Sequence, residues 1–419
     1  MAYDAGAIAW MLVSTALVMI MTPAVGFFYG GMLKKNSMLS MLGQTLIILG
    51  VVTIIWVVAG FSLAFGSDTS GLIGNFDYVL MNGIGVYSEP PASLVAIGAT
   101  TVPPLLYMMF QGMFAIITVA LIIGGIAERM KLAAVTVFLA IWTFVIYIPV
   151  AHWVWGGGWI FDLGALDFAG GTVVHITAGA TVLAATLVIG KRLSKQNNTE
   201  EQAHNIPFVV LGGALLWMGW FGFNGGSALG ATEVAVNAFV VTQVSAATAA
   251  VVWGLISYIH LGRTSVLGMI TGAVVGLVAI TPASGFVDVT GALIIGIIAP
   301  FFSYGAIQLR KRLGFDDALD VWGCHGVGGT VGAISIGFLA NPATNTLLAD
   351  SGISGLLYGG GFDLLVKQLI AVGAVWAFVF AVVFIIMKIM VKVWPNWRMT
   401  KEEERIGADI VQHGENAYA

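Results

Sequence analysis

Two histidines stand in stretches otherwise too apolar to favour them: His175 in Gly171-Thr-Val-Val-His175-Ile-Thr-Ala-Gly179, and His325 in Trp322-Gly-Cys-His325-Gly-Val-Gly-Gly329. Two neutral imidazoles facing each other can share a hydrogen bond through whichever tautomers suit, and such a pair can accept or relay a proton. Zinc is a poorer fit, because two His without a third Cys, His or carboxylate at ligand spacing do not complete a site, so no metal is expected. Phe110 and Phe114 are four residues apart and share one helix face. Ring quadrupoles and one acceptor can together hold a desolvated cation, and Trp155, in His152-Trp-Val-Trp155-Gly-Gly-Gly-Trp159, and Ser227, in Phe223-Asn-Gly-Gly-Ser227, are of the right types. Spacing alone is as compatible with plain packing. Asp167 has no basic neighbour in sequence; it can cap the helix that follows or attract a cation from outside.

The elements that must position these residues are membrane spans. Of 419 residues, 58% are hydrophobic and 9% charged, with a mean hydropathy of +0.95, more apolar surface than one water-soluble core can hide. Apolar runs of spanning length are predicted near 5–29, 39–65, 102–127, 133–151, 171–190, 207–223, 237–259, 266–283, 288–308, 319–340 and 364–391. The first has no basic residues before it and is expected to be a retained helix, not a signal peptide. The single Cys324 falls inside a span and reads as a small buried residue.

Charge gives an independent test of this count, since Lys and Arg collect in cytoplasmic loops. Lys34 and Lys35, Arg129 and Lys131, Lys191, Arg192 and Lys195, Arg263, and Arg310 to Arg312 follow spans 1, 3, 5, 7 and 9. The alternate loops at 66–101, 152–170, 224–236, 284–287 and 341–363 contain neither residue, and only Lys367 departs from the pattern. Eleven spans, an outside N-terminus and an inside tail bearing Lys392, Arg398, Lys401 and Arg405 follow. Asp167-Phe-Ala-Gly-Gly-Thr-Val-Val-His175 in span 5 echoes Asp320-Val-Trp-Gly-Cys-His325-Gly-Val-Gly-Gly-Thr330 in span 10. An offset of five inverts the second copy, as in inverted-repeat transporters. The expected fold is therefore all-α integral membrane: two inverted five-helix repeats, about 1–200 and 201–345, an extra helix at 364–391 closing a transmembrane domain of 1–393, and a cytoplasmic tail at 394–419.

With Phe110-Gln-x-x-Phe114, His152-Trp-Val-Trp155-Gly-Gly-Gly, Asp167-Phe-Ala-Gly-Gly-x-Val-Val-His175, Gly222-Phe-Asn-x-Gly-Ser227 and Asp320-Val-x-Gly-x-His325-Gly, the chain resembles the ammonium transporter family (Amt, Mep and Rh proteins) from first span to tail. The resemblance implies a homotrimer in the cytoplasmic membrane with one pore per subunit. It implies an outer ammonium site of Phe114, Trp155 and Ser227, Phe110 and Phe223 stacked as a gate beneath it, His175 and His325 lining the pore, and Asp167 supporting the outer site indirectly. The tail, from Lys401 to Tyr418, is similar to that of bacterial and archaeal members controlled by PII-type signalling proteins. Gly225 stands where Ala is frequent, which loosens the backbone beside Ser227.

The expected activity is electrogenic ammonium uptake for nitrogen assimilation: recognition of the cation outside, deprotonation, and passage of ammonia through an apolar pore. A sensor with a vestigial pore and a neutral-gas channel of Rh type are the rivals, the second being expected to lack the Trp155 and Ser227 site. An enzyme is the least favoured reading and none is expected, since no nucleophile, metal set or nucleotide motif accompanies the histidines. Neither a cofactor nor a nucleic-acid partner is expected.

Overall fold

A computed structural model describes residues 3–197 and 202–418. Its main helices, in chain order, are α1 (Ala5–Met32), α2 (Lys35–Phe65), α3 (Pro104–Ile126), α4 (Leu132–Leu163, broken at residues 156–158), α5 (Gly171–Ile189), α6 (Ile206–Gly226) and α7 (Glu233–Leu261). Then come α8 (Val266–Ile280), α9 (Val289–Leu313), α10 (Trp322–Val327 continuing as Gly328–Leu339) and α11 (Asp363–Val393), with two short tail helices, α12 (Lys401–Ile406) and α13 (Ala408–His413). Among the described residues nine of these are long and apolar enough to cross a bilayer; the exceptions among α1 to α11 are the shorter α8 and the glycine- and histidine-bearing α10.

The outer faces are apolar too. Ile54, Ile259 and Phe301 are more than half exposed, the reverse of a water-soluble surface and the state expected of a chain solvated by lipid. Within this shell small residues set the spacing of helices. α1 runs along α6, where a Cβ on Gly212 would sit 2.4 Å from the Phe28 nitrogen. α5 meets α10 backbone to backbone, a Cβ on Gly179 falling 2.2 Å from the Gly326 Cα.

The sequence-based boundaries shift for local reasons. α8, expected to reach 283, ends at Ile280 because Thr281 precedes Pro282, which disfavours helical backbone. α10 begins at Trp322 instead of 319, because the preceding turn holds Asp320 at a left-handed φ of 59°. The helix carrying His152 continues to Trp155, beyond the expected 151. The expected boundary between repeats, at 200/201, lies outside the described residues.

At one end of the bundle the loops after α1, α3 and α5 are tied together by the tail. Asn36 Nδ2 donates to the Ile406 carbonyl (2.8 Å), Asp409 accepts the Ser40 N–H (2.7 Å), and Glu404 accepts the Leu193 N–H (2.8 Å). Thr400 and Glu403 form a reciprocal cap that starts α12. Behind these contacts lies a buried ionic cluster: Arg192 grips Asp316 through Nε and Nη2, both at 3.0 Å, and reaches Glu128 at 3.1 Å, while the fully buried Arg129 donates to the Asp316 carbonyl at 2.6 Å. Burial alone would raise the Asp316 pKa, but the Arg129 and Arg192 guanidiniums outweigh it and hold the carboxyl well below the usual range.

Asp316→Ala is therefore expected to cost about 3–5 kcal/mol, since two buried cations would lose their shared partner. The pH dependence has a definite sign. A depressed folded pKa gives stability that is complete above the ordinary carboxyl value of about 3.9 and is lost as pH falls towards the folded value. Thermal unfolding of the purified protein below about pH 4 checks this, because the Asp316→Ala protein should lack that acid limb of the Tm profile.

Candidate functional site

A line of aromatic rings runs through the interior between two cavities. The first cavity, of about 140 Å³, is lined by Phe110, Phe114, Trp155, Phe168 and Ser227 among others, so three of the residues expected to recognise a cation share one space. α3 supplies Phe114, the last residue before the 156–158 break in α4 supplies Trp155, and the residue capping the C-terminus of α6 supplies Ser227. Phe114 and Trp155 meet edge to face with centroids 6.0 Å apart. The Trp155 indole N–H donates to the Asp167 carbonyl at 2.8 Å. The Ser227 hydroxyl donates to the Phe223 carbonyl at 2.8 Å, which leaves its lone pairs to accept from a ligand.

Phe114, in the wall of this cavity, stacks on Phe223, which lines the space around the histidines, with centroids 4.2 Å apart and planes 29° apart. This corrects the expected pairing of Phe110 with Phe223. Phe110 lies one helical turn before Phe114, meets it edge-on at 4.9 Å, and rests against Gly226. The two phenylalanines share one helix face, but sharing a face does not decide which of them reaches α6.

Beyond the stacked pair lie the histidines. The His175 ring stacks on Trp220 at 5.5 Å and on His325 at 5.2 Å, and the two imidazoles approach Nδ1 to Nδ1 at 3.2 Å. Both are almost wholly buried. A shared Nδ1 hydrogen bond obliges one ring to be the Nδ1–H tautomer and the other the Nε2–H tautomer. The two Nε2 atoms therefore present one lone pair and one N–H, and the His175 Nε2 has no partner among the described residues. The space around the pair measures only about 10 Å³ and is otherwise walled by side chains such as Val25, Phe28, Leu121 and Leu216. His325 then reaches a second cavity of about 390 Å³, with Asp320, Cys324, Arg310 and Lys311 on its wall.

Both histidines sit in π-helical turns, Gly171–Ile176 and Trp322–Val327, a geometry often found at functional positions because the extra residue redirects a side chain. Asp167 anchors the first turn. Its Oδ1 accepts the N–H groups of Gly170 and Gly171, both at 2.8 Å, and its Oδ2 those of Thr172 (2.7 Å) and Val173 (3.1 Å).

The counterpart in the second turn is Asp317, not the Asp320 that the motif comparison pairs with Asp167. Asp317 is fully buried and accepts the Trp322 N–H at 2.7 Å, whereas Asp320 pairs with Arg310 at 2.7 Å. Its distance from His325 in sequence, eight residues, equals that from Asp167 to His175, and that spacing was the overlooked signal. Burial, and then the neighbouring Asp320, push the Asp317 carboxyl up to about 6. Trp220, three residues before Phe223 on α6, also escaped the sequence reading; its indole donates to Thr281 at 2.8 Å, which fixes the ring over His175.

The profile of the Ammonium Transporter Family matches residues 9–418. Ammonium transporter Amt1 of Archaeoglobus fulgidus is 46% identical over 413 residues, covering 99% of each chain. An ammonium transporter of Bacillus subtilis is 44% identical over 418 residues, covering 99% of this chain and 98% of the relative. The crystal structure of Candida albicans Mep2 matches with a TM-score of 0.87 at 35% identity, covering 99% of this chain and 91% of that one. A protein described as a sensor Amt matches with a TM-score of 0.87 at 27% identity, covering 97% of this chain and 98% of that one.

Proposed function

The chain belongs to the ammonium transporter family, and from that premise we propose how its geometry moves ammonium across a membrane. Ammonium enters the outer cavity, sheds water, and is held by the faces of Phe114 and Trp155 and by a Ser227 lone pair. Phe114 and Phe223 act as the gate, with Phe110 lining its approach. The bare cation does not continue, because an apolar passage imposes a heavy desolvation cost on any charge. Ammonium loses a proton, ammonia passes the rings, and the His175–His325 pair takes or relays the proton so that charge moves with the molecule. Asp167 supports the outer site from behind, through the Trp155 indole.

The observation that carries this reading is the buried imidazole pair, Nδ1 to Nδ1 at 3.2 Å, between one cavity that suits a cation and another that opens widely. A proton acceptor placed there serves deprotonative transport and has little other use.

The same reading takes α8 and α10 as spans, giving eleven, with α1 to α5 and α6 to α10 as inverted repeats, α11 outside them, and a regulatory tail from about residue 394. The pairing of α1 with α6 and of α5 with α10, each five helices apart, supports it. The basic loops would lie in the cytoplasm with the tail, and the N-terminus outside. A homotrimer in the cytoplasmic membrane and a PII-type partner at the tail complete the proposal, with ammonium taken up for nitrogen assimilation.

The test is the current from proteoliposomes on a solid-supported membrane after an ammonium pulse, compared with a potassium pulse. A saturable current for ammonium alone is expected, reduced at least about tenfold in a His175→Ala, His325→Ala protein. Equal currents for both ions would overturn selection by deprotonation; no current with retained ammonium binding would favour a sensor.

A further inference from the structure

The motif that contains Trp155 begins with a histidine that the transport route does not use. His152 is completely buried, and both of its ring nitrogens are engaged: Nδ1 with the Ala64 carbonyl at 2.8 Å, and Nε2 with Asp68 Oδ1 at 2.9 Å. Ala64 belongs to the last turn of α2; Asp68 opens a small antiparallel hairpin, β1 (Asp68–Thr69) and β2 (Ile73–Gly74), at the outer end of the bundle.

A carbonyl oxygen only accepts, so Nδ1 carries a hydrogen. Both Asp68 oxygens also accept the Gly71 N–H, at 2.8 and 3.0 Å, as an ionised carboxylate does, so Nε2 must donate as well. The ring thus sits as a donor between two acceptors, in the last turn before the helix breaks. The same hydrogen bond from His152, ahead of all other causes, holds the Asp68 carboxyl below its ordinary range.

The ring also fixes where that helix ends. A Cβ at Gly156 would lie 2.0 Å from the Ala64 oxygen and 2.6 Å from the His152 Nδ1, so the approach of ring and carbonyl requires glycine there. The hairpin then takes hold on both sides of Trp155. Trp153 Nε1 donates to the Leu72 carbonyl at 2.8 Å, and the Trp159 N–H donates to the Gly71 carbonyl at 3.0 Å. Trp155 is consequently located from two directions, its indole by Asp167 and its backbone by the clamp around His152.

We propose that His152, clamped between Ala64 and Asp68, is a positioning residue for Trp155, and that ammonium recognition weakens when the Asp68 side of this clamp is removed. The inference rests on the reading of Phe114, Trp155 and Ser227 as the recognition site. His152 touches no substrate; it acts through the tryptophan three residues on. The titratable groups carried by the elements packed against it are Tyr147, Asp162, His175 and Asp68. Only Asp68 bonds the ring; Asp77, next along the outer segment, is taken up by Ser67 (3.0 Å) and Asn75 (2.6 Å).

The experiment measures the ammonium concentration for half-maximal current, and the maximal current, in proteoliposomes at one fixed pH. In Asp68→Ala half-saturation should be raised by about tenfold, the size of one charge-assisted hydrogen bond, with the maximal current little changed. In Asp68→Asn it should stay near the native value, because the carboxamide can still share a hydrogen bond with His152 Nε2 while Nδ1 donates to Ala64. A merely structural role would lower the maximal current and leave half-saturation where it was. Unchanged half-saturation in Asp68→Ala, or Asp68→Asn behaving as Asp68→Ala, overturns the proposal. Trp155→Ala separates the two levels: if it leaves half-saturation unchanged, the recognition site itself is wrong; if it raises it while the Asp68 variants do not, only the role of His152 fails.

Discussion

On the proposed deprotonative route, His175→Asp should open to potassium a passage that the native protein keeps closed to it. Potassium resembles ammonium in size but has no proton to give, so an apolar passage excludes it by desolvation alone. A fixed carboxylate removes that ground of discrimination, because it offsets the cost of any monovalent cation. At about 4 Å and an intermediate dielectric the attraction is about 4 kcal/mol, or roughly a thousandfold in occupancy. The potassium current should therefore rise from background towards that of ammonium in the same proteoliposomes. A variant that still carries ammonium while remaining closed to potassium would show that selection is completed at the outer cavity, before the histidines are reached.

Asp167→Ala has the other large expected effect, and the geometry says why it should be structural first. The carboxylate accepts four N–H groups, two on each oxygen, so no lone pair is left to face an arriving cation. Alanine leaves those donors unpaired beneath the π-helical turn that presents His175. Losing the cap together with several buried partners should cost about 3–5 kcal/mol and lower transport at least about a hundredfold. Asp167→Asn keeps one accepting oxygen and should fall between the two in thermal stability. An asparagine variant as stable as the native protein yet unable to transport would assign the carboxylate a direct part in handling the substrate.

The large features of the fold were legible in the sequence because lipid imposes them: apolar runs, sparse charge and alternating basic loops foreshadow the bundle and the side on which its tail packs. What escaped the sequence depends on backbone geometry or on distance. Nothing in the residue types signals that the turns at His175 and His325 are π-helical. Asp317 was passed over because the Asp-Val-x-Gly pattern drew attention to Asp320, although equal spacing to the histidines pointed to Asp317. The aromatic face of α3 was visible, yet only packing decides that Phe114 meets Phe223. His152 stood in plain view, but its partners lie 84 and 88 residues earlier, one in the hairpin after α2 and one in the last turn of α2, where no pattern signals them.

The stacked Phe114 and Phe223 rings have a consequence for the cell that owns them. A membrane holding a voltage is an insulator, and a continuous thread of water through every copy of a transporter would short-circuit it. With the rings together and room beyond them for barely one small molecule, no such thread forms past the stacked pair, and on the proposed route each crossing would wait for the rings to part. On that route throughput per copy would be set by the frequency of that opening and could not be raised by widening the bore without leaking current. A larger flux would then take more copies of the protein.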